Sequence, residues 1–251
     1  MEPWVVAVFC LAVGLGSYVQ AVTGFALGFV VLSIIALSHA LDMRTITAVI
    51  SLLALLNVLV ALRGQIGQIH RRSWGLLCLG QVPAIWVGVA WLDTLAAEHV
   101  RLLEAMLGAF VVIGSLSMLM RPQTRPEPSR PVAWVAAGAA GGLLGGLFSA
   151  SGPVMGWFAY RQPLLVAQIR ATLLACFAVT TTTRTLVVGL NGGLTSAVWL
   201  YVGVGVPLVL LGTWAGLRWR PTTQRGMRRV AFTSLLAMGA WLLVRAAVGA
   251  G

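Results

Sequence analysis

The chain has 251 residues, of which 59% are hydrophobic and 9% are charged, and its formal net charge is +11. A soluble domain would carry about a quarter charged residues, so this composition excludes a water-soluble globule. All seventeen basic residues are arginine, and most stand in short links between apolar segments, which favours a signal for membrane orientation over nucleic-acid binding.

The first half of the chain contains five apolar segments. Because a helix needs about 20 apolar residues to cross the hydrocarbon core, the second of these segments is short for a full span. The N-terminus lacks the basic region and the small-residue cleavage site of a secretory signal, so the first segment is predicted to be a retained span. The segments lie at 4–22, 24–38, 45–62, 74–92 and 102–120.

A polar link at residues 121–131 contains four prolines and cannot continue a helix. Five further apolar segments follow, at 132–148, 153–160, 168–188, 196–217 and 230–248. The sequence therefore predicts an all-α integral membrane protein in three parts. These are a first membrane repeat at 1–120, a Pro/Arg-rich cytoplasmic linker at 121–131 and a second membrane repeat at 132–251.

The two halves resemble each other when one is shifted by about 125 positions. A Pro-x4-Gly pattern at Pro83 recurs at Pro207, and Gly114 corresponds to Gly239. Gly-rich stretches also open both halves. Matches in the same order at nearly one offset indicate a duplication. The alternative is that membrane segments share a composition and look alike by chance.

The arginines concentrate in alternate links, at 63–73, 121–131, 161–170 and 218–229. The positive-inside rule places these links in the cytoplasm. The first repeat then begins outside and the second inside. We therefore expect two inverted-topology repeats, each a broken-helix hairpin followed by three transmembrane helices. Both termini are predicted to be periplasmic, in a multi-pass protein of the bacterial inner membrane.

Each half opens with a segment that is interrupted, at Thr23–Gly28 and at Ser149–Pro153. Glycine tolerates non-helical backbone, and Pro153 lacks an amide hydrogen. Unpaired amides at a helix N-terminus carry partial positive charge and attract anions. Paired interruptions in two halves indicate the binding site of a transporter. The alternative is that the glycines only allow helices to pack closely.

Arg184, which follows Thr183, is the arginine that lies well inside a predicted span. A charge at that depth is costly and usually functional, and a planar guanidinium suits sulfonate, sulfite or carboxylate oxygens. The alternative is that its side chain extends to the outer interface.

Other buried polar residues are weaker candidates for the site. Asn57 occupies nearly the matching position to Arg184 in the first half, whereas Gln20 and Gln81 could each simply bond a neighbouring helix. We predict a substrate site formed by the polar residues and those at the interruptions. They are Gln20, Thr23, Gly24, Phe25, Asn57, Gln81, Ser149, Ser151, Gly152, Thr183 and Arg184.

Several kinds of chemistry are not expected from this sequence. The six acidic residues lie away from the predicted bilayer centre, which argues against a relay of protons through mid-membrane carboxylates. The three cysteines and three histidines have no metal-type spacing, so no metal, disulfide or cofactor is expected. A nucleophile–base pair and a phosphate-binding loop are also missing, which argues against an enzyme.

The interruptions read Val-Thr-Gly-Phe-Ala-Leu-Gly at 22–28 and Gly-Gly-Leu-Phe-Ser-Ala-Ser-Gly-Pro at 145–153. This pair resembles the Gly-rich motifs of the sulfite exporter TauE/SafE family of membrane permeases, and the likeness covers nearly the whole chain. The resemblance implies export of small sulfur-containing anions such as sulfite, sulfoacetate or related organic acids. Ala26, Ser149 and Ser151 depart from the family pattern, which often has glycine there.

The leading interpretation is an anion permease that works by alternating access around the two interruptions. One alternative is an exporter of another small metabolite or amino acid with a similar duplicated plan, and another is a non-transporting membrane scaffold or enzyme subunit. The expected partners are a small anionic substrate and membrane lipid, without nucleic acid. The sequence is compatible with both a monomer and a homodimer.

Overall fold

The computed structural model describes residues 3–23, 27–38, 42–119, 123–219, 236, 239–240 and 243–244. Within the four long stretches the chain forms nine α-helices and no strand. Seven of these helices, all but α2 and α7, are long and apolar enough to cross a membrane. The prediction of an all-α multi-pass membrane protein is therefore confirmed. The helices are α1 (Pro3–Thr23), α2 (Leu27–Ser38), α3 (Met43–Ala61), α4 (Arg71–Glu98), α5 (Val100–Leu119), α6 (Pro131–Phe148), α7 (Gly152–Ala159), α8 (Val166–Leu190) and α9 (Ser196–Arg218).

Each half opens with a long helix followed by a short one. α1 ends at Thr23 and α2 begins at Leu27, while α6 ends at Phe148 and α7 begins at Gly152. The short helices have 12 and 8 residues, which is too few to cross a bilayer at about 1.5 Å per residue. The predicted last segment at 230–248 lies largely outside the described residues.

The proline-rich linker is attached to the link between α7 and α8. Its residues 123–130 form no helix, as their prolines predict, whereas the last predicted linker residue, Pro131, is the first residue of α6. The Arg125 amide donates to the Arg161 carbonyl oxygen at 2.8 Å, and the Ser129 amide donates to Gln162 Oε1 at 3.0 Å. The linker therefore lies against the end of α7.

α4 packs along α6 with the two backbones in direct contact. A Cβ atom on Gly80 would lie 2.0 Å from the Val135 carbonyl oxygen, and one on Gly138 would lie 2.2 Å from the Leu77 carbonyl oxygen. Such distances leave no room for a side chain, so these glycines set the approach of the helices. A helix of the first half thus lies against the opening helix of the second.

α9 packs along α1 in the same manner. A Cβ atom on Gly212 would lie 2.6 Å from the Gly14 carbonyl oxygen, and one on Gly216 would lie 2.8 Å from the Tyr18 carbonyl oxygen. Pro207 lies inside α9, just as Pro83 lies inside α4. α3 and α8 contact each other between these pairs, α3 also lying against α9 and α8 against α4. Each Pro-x4-Gly helix therefore packs on the opening helix of the other half.

Candidate functional site

The two opening hairpins touch where their helices are interrupted. A Cβ atom on Gly28, the second residue of α2, would lie 2.2 Å from the carbonyl oxygen of Ser149, which follows α6. Phe29 and Phe148 both pack against Phe110 of α5, with ring centroids 5.5 and 5.6 Å apart. Glycine is required at residue 28 because the backbone of the other half occupies the space of a side chain.

Arg184 of α8 is buried beside this junction, with 1% of its surface exposed. Its Nε donates to the Gly146 carbonyl oxygen at 2.9 Å. Its Nη1 donates to the Thr47 carbonyl oxygen at 2.7 Å and to Ser51 Oγ at 2.8 Å, and its Nη2 donates to Thr47 Oγ1 at 2.8 Å. The guanidinium is held inside the protein, and the side chain does not extend to the outer interface.

The positive charge of Arg184 has no adjacent countercharge. All four acceptors around its guanidinium are uncharged carbonyl or hydroxyl oxygens. The ion pairs in the described part of the chain join other residues, and none includes Arg184. A buried charge is stable only when it is paired or well hydrogen-bonded, and here four hydrogen bonds hold the guanidinium while its charge stays without an adjacent carboxylate.

Ser149 connects the interruption in the second half to Arg184. Its Oγ forms a hydrogen bond of 2.6 Å with Ser51 Oγ, the same oxygen that accepts from Arg184. Ser149 has φ of 55°, in the left-handed region that costs a residue other than glycine about 1–2 kcal/mol. Its amide donates to the Gly145 carbonyl oxygen at 2.9 Å and so caps α6. Serine thus supplies a hydroxyl contact that glycine could not make there.

Gln20 holds the start of α2 in the first half. It is buried in α1, and its Oε1 accepts a hydrogen bond from the Leu27 amide at 3.0 Å. One amide that we expected to be free for an anion is therefore already satisfied. Thr23 is the last residue of α1, but its side chain lies outside the described residues, as do Gly24 and Phe25.

Asn57 and Gln81 bond neighbouring helices. Asn57 Nδ2 donates to the Ser17 carbonyl oxygen at 3.1 Å and to Thr213 Oγ1 at 2.7 Å. Gln81 Nε2 donates to the Cys176 carbonyl oxygen at 3.0 Å. Gln81 thus bonds a neighbouring helix, which was the alternative to a role in the site. Neither Asn57 nor Gln81 bonds Arg184 or the residues that accept from it.

The remaining predicted residues differ in their surroundings. Ser151 and Gly152 are buried at the start of α7, and no partner for Ser151 Oγ is found among the described residues. Thr183 is half-buried in α8, and its side chain points about 100° around the helix axis from that of Arg184.

The α3 residues that hold Arg184 were not among the predicted site residues. Thr47 and Ser51 are fully or almost fully buried, and they are four positions apart on one face of α3. A pair of hydroxyl residues at this spacing inside an apolar segment was the available signal.

A pocket of about 340 Å³ reaches Arg184 from one end of the helices. Arg44 and Asp93 stand at its mouth, where both side chains are about half exposed. Arg44 Nε lies 3.2 Å from Asp93 Oδ1. The pocket is lined by Arg44, Val89, Leu92, Asp93, Arg184, Val188, Asn191 and Gly193.

A second pocket of about 440 Å³ lies at the other end of α4. α4 has 28 residues and is about 40 Å long at about 1.5 Å per residue, which exceeds the hydrocarbon thickness of about 30 Å. The two pockets therefore open at opposite ends of membrane-crossing helices. The second pocket is lined by His70, Arg72, Leu76, Pro128, Ser129, Arg130, Pro131, Trp134, Gln162, Pro163 and Leu164.

Metal-binding chemistry has little basis in the described residues, which contain no group of three or more His, Cys, Asp or Glu side chains able to hold an ion. The described cysteines, Cys10, Cys78 and Cys176, are free. What the site offers is therefore hydrogen-bond donors and positive charge.

Comparison with known proteins gives two matches that cover nearly the whole chain. The family described as sulfite exporter TauE/SafE matches residues 8–242. A protein of Cupriavidus necator, named as a probable sulfite/organosulfonate exporter TauE, is 36% identical over 234 residues. The matched region covers 93% of this chain and 91% of that protein. No solved structure matches significantly.

Proposed function

Because the chain belongs to the sulfite exporter TauE/SafE family, whose members are membrane transporters, we propose that its substrates are sulfite and small organosulfonates. The relative from Cupriavidus necator carries both substrates in its name. The observation that carries the proposal is the buried guanidinium of Arg184, which faces a pocket and has only uncharged acceptors.

An anion supplies the charge that the surroundings of Arg184 lack. Four hydrogen bonds to the protein fix the plane of the guanidinium, so its remaining donor capacity has a defined direction. Sulfite and sulfonate groups present three oxygens, one of which can accept from the one guanidinium N–H, on Nη2, that these four hydrogen bonds leave free. The substrate would thereby neutralise a charge that is otherwise expensive inside the membrane.

The walls of the pocket suit an organic tail beside a charged headgroup. Val89, Leu92 and Val188 line the pocket together with Arg184. Apolar walls with a few convergent polar groups are typical of small-molecule sites. A sulfonate would place its oxygens at the guanidinium and its carbon chain against these three residues, while sulfite would use the polar groups alone.

The inverted-repeat plan remains part of the proposal. It is supported by the reciprocal packing, in which α4 lies on α6 and α9 lies on α1. It is also supported by the pockets at opposite ends of α4, which give the membrane-crossing helices an opening at each end. The repeats are 1–120 and 132–251, joined by a cytoplasmic linker, and both termini are periplasmic. Single cysteines are placed at either terminus of a variant without Cys10, Cys78 and Cys176 and are labelled from outside intact cells. Protection of both would overturn the periplasmic orientation, and labelling of only one would overturn the inverted repeats.

The substrate proposal is tested on the wild-type protein in two steps. Thermal unfolding of the purified protein is measured with sulfite, ethanesulfonate, sulfoacetate, acetate and glycine. A ligand at about 100 times its Kd raises stability by about 2.7 kcal/mol, so the sulfur anions should raise the Tm and glycine should not. Counterflow of sulfite and sulfoacetate in proteoliposomes then measures movement. Stabilisation and counterflow by glycine alone would instead support an amino-acid exporter.

A further inference from the structure

The mouth of the Arg184 pocket holds an ion pair between two helices. Arg44 lies in the first turn of α3, and Asp93 lies in the last turns of α4. Both residues line the same pocket as Arg184, so an anion passing between this surface and Arg184 meets the pair.

The two residues touch through two separate contacts. Arg44 Nε lies 3.2 Å from the Asp93 carboxylate oxygen, and Arg44 Nη2 donates to the Asp93 backbone carbonyl oxygen at 2.6 Å. The backbone contact does not depend on the carboxylate. If the Asp93 side chain rotates away, the guanidinium of Arg44 therefore still has an anchor at the mouth.

The exposure of the pair makes it easy to open. The side chains are 52% and 51% exposed, and ion pairs in such positions stabilise proteins little. A diffusing anion can therefore compete with a carboxylate for this guanidinium, because the contact that must break is weak and the replacement has the same charge.

We propose that Asp93 is a built-in substitute for the transported anion: it occupies the Arg44 guanidinium in the empty pocket, and sulfite or a sulfonate takes its place there on the way between the mouth and Arg184. This inference rests on the proposed function and adds Arg44 as a second anion-binding residue. Asp93 is a specificity residue, since only an anion that displaces its carboxylate reaches the Arg44 guanidinium.

The test is a double-mutant cycle in proteoliposomes. The half-saturating concentration of sulfite is measured for transport that starts on the side of the membrane where the pocket lined by Arg44 opens. Asp93→Asn removes the competing charge and keeps the backbone carbonyl, so the half-saturating concentration should fall about two- to fivefold. Arg44→Gln removes the binding group, so it should rise about tenfold. The double variant should behave like Arg44→Gln alone, because Asp93 acts only through Arg44.

The matched controls are Glu98→Gln, which removes another carboxylate from α4, and Arg101→Gln, which removes another arginine near the same end of the helices. Both should leave the half-saturating concentration unchanged, since neither residue lines the pocket. The inference is overturned if Asp93→Asn raises the half-saturating concentration as Arg44→Gln does, which would mark a purely structural ion pair. It is equally overturned if both variants behave like their controls.

Failure of this inference and failure of the proposed function give different results. If the wild-type protein transports sulfite but the cycle shows no coupling between Arg44 and Asp93, only the role of this pair is wrong. If the wild-type protein neither binds nor transports sulfite or sulfonates, the proposed function itself is wrong. Melting temperatures of all variants show whether a loss of transport reflects a loss of folded protein.

Discussion

The third helix of each half, α3 in the first and α8 in the second, holds a buried polar side chain with the same kinds of partner. Asn57 donates to the Ser17 carbonyl oxygen in the opening helix of its own half and to the Thr213 hydroxyl of the other half. Arg184 donates to the Gly146 carbonyl oxygen in the opening helix of its own half and to hydroxyls in α3 of the other half.

The two positions differ in charge and in access. Asn57 is neutral and fully buried, and it does not line the pocket that reaches Arg184. Arg184 is charged and faces that pocket. Both side chains join helices, and under the proposed function Arg184 in addition presents its charge to the substrate. Similar interhelical contacts in the two halves thus surround a neutral side chain in the first half and a charged one in the second.

The largest effect is expected when the charge of Arg184 is removed. Arg184→Gln should weaken the affinity for sulfite by about 100-fold, because hydrogen bonds to charged groups are worth about 1.5–3 kcal/mol and the anion loses its countercharge. Arg184→Lys should lose less, about tenfold, since it keeps the charge but not the planar fork. Sulfite-dependent shifts in Tm measure both. Arg63→Gln, an exposed arginine, is the control, and an equal loss in that variant would contradict a specific role for Arg184.

A second test disturbs the junction that brings the halves together. Gly28→Ala should destabilise the protein by about 2–3 kcal/mol, because the new Cβ would lie 2.2 Å from the Ser149 carbonyl oxygen and the backbone must shift. Gly14→Ala is the control, since nothing lies within 4 Å of a Cβ at that position. Thermal unfolding in detergent compares the two variants. Equal melting temperatures would show that the interruptions are not in contact.

A third test concerns Asn57, the neutral side chain compared with Arg184. Asn57→Ala should lower stability by about 1 kcal/mol, the usual range for hydrogen bonds between membrane helices. The half-saturating concentration of sulfite should stay within about twofold of the wild type, because Asn57 does not reach the pocket. Unfolding and transport are measured on the same preparation. A selective loss of transport at full stability would place Asn57 in the site.

The smallest effect is expected at Ser149. Ser149→Gly relieves the left-handed backbone and loses the hydroxyl bond to Ser51, so the two changes nearly cancel and stability should stay within about 0.5 kcal/mol. Ser149→Ala loses the bond and keeps the strain, and it should be less stable than Ser149→Gly by about 1 kcal/mol. The order of the two melting temperatures is the measurement, and the reverse order would contradict the strained conformation.

Helix positions followed from the sequence because the apolar runs themselves require them. The ends of α6 and α7 lie within a residue of the predicted segments, since the proline at residue 131 and the glycine at residue 152 leave little choice. Arg184 was identified for a similar reason: a charge inside an apolar run is informative without any knowledge of its partners.

The partners could not be predicted, because they come from distant parts of the chain. Thr47 and Ser51 meet Arg184 across more than 130 positions, and the packing of α3 on α8 decides which of their faces meet. Arg44 and Asp93 lie near the ends of different helices, and only the packing of α3 beside α4 brings the two side chains together. The role of Gln20 depended on the path of the chain after α1, which spacing alone does not define.

The glycine contacts between α4 and α6, and between α9 and α1, have a consequence for motion. Helices whose backbones touch without intervening side chains are closely packed, so we expect each pair to move as one rigid unit. Because each pair contains one helix from each half, the units that we expect to move differ from the two halves of the sequence. We expect opening and closing to occur between the α4–α6 pair and the α1–α9 pair. The contact between α3 and α8, which carries Arg184 and its hydroxyl partners, lies between the two pairs.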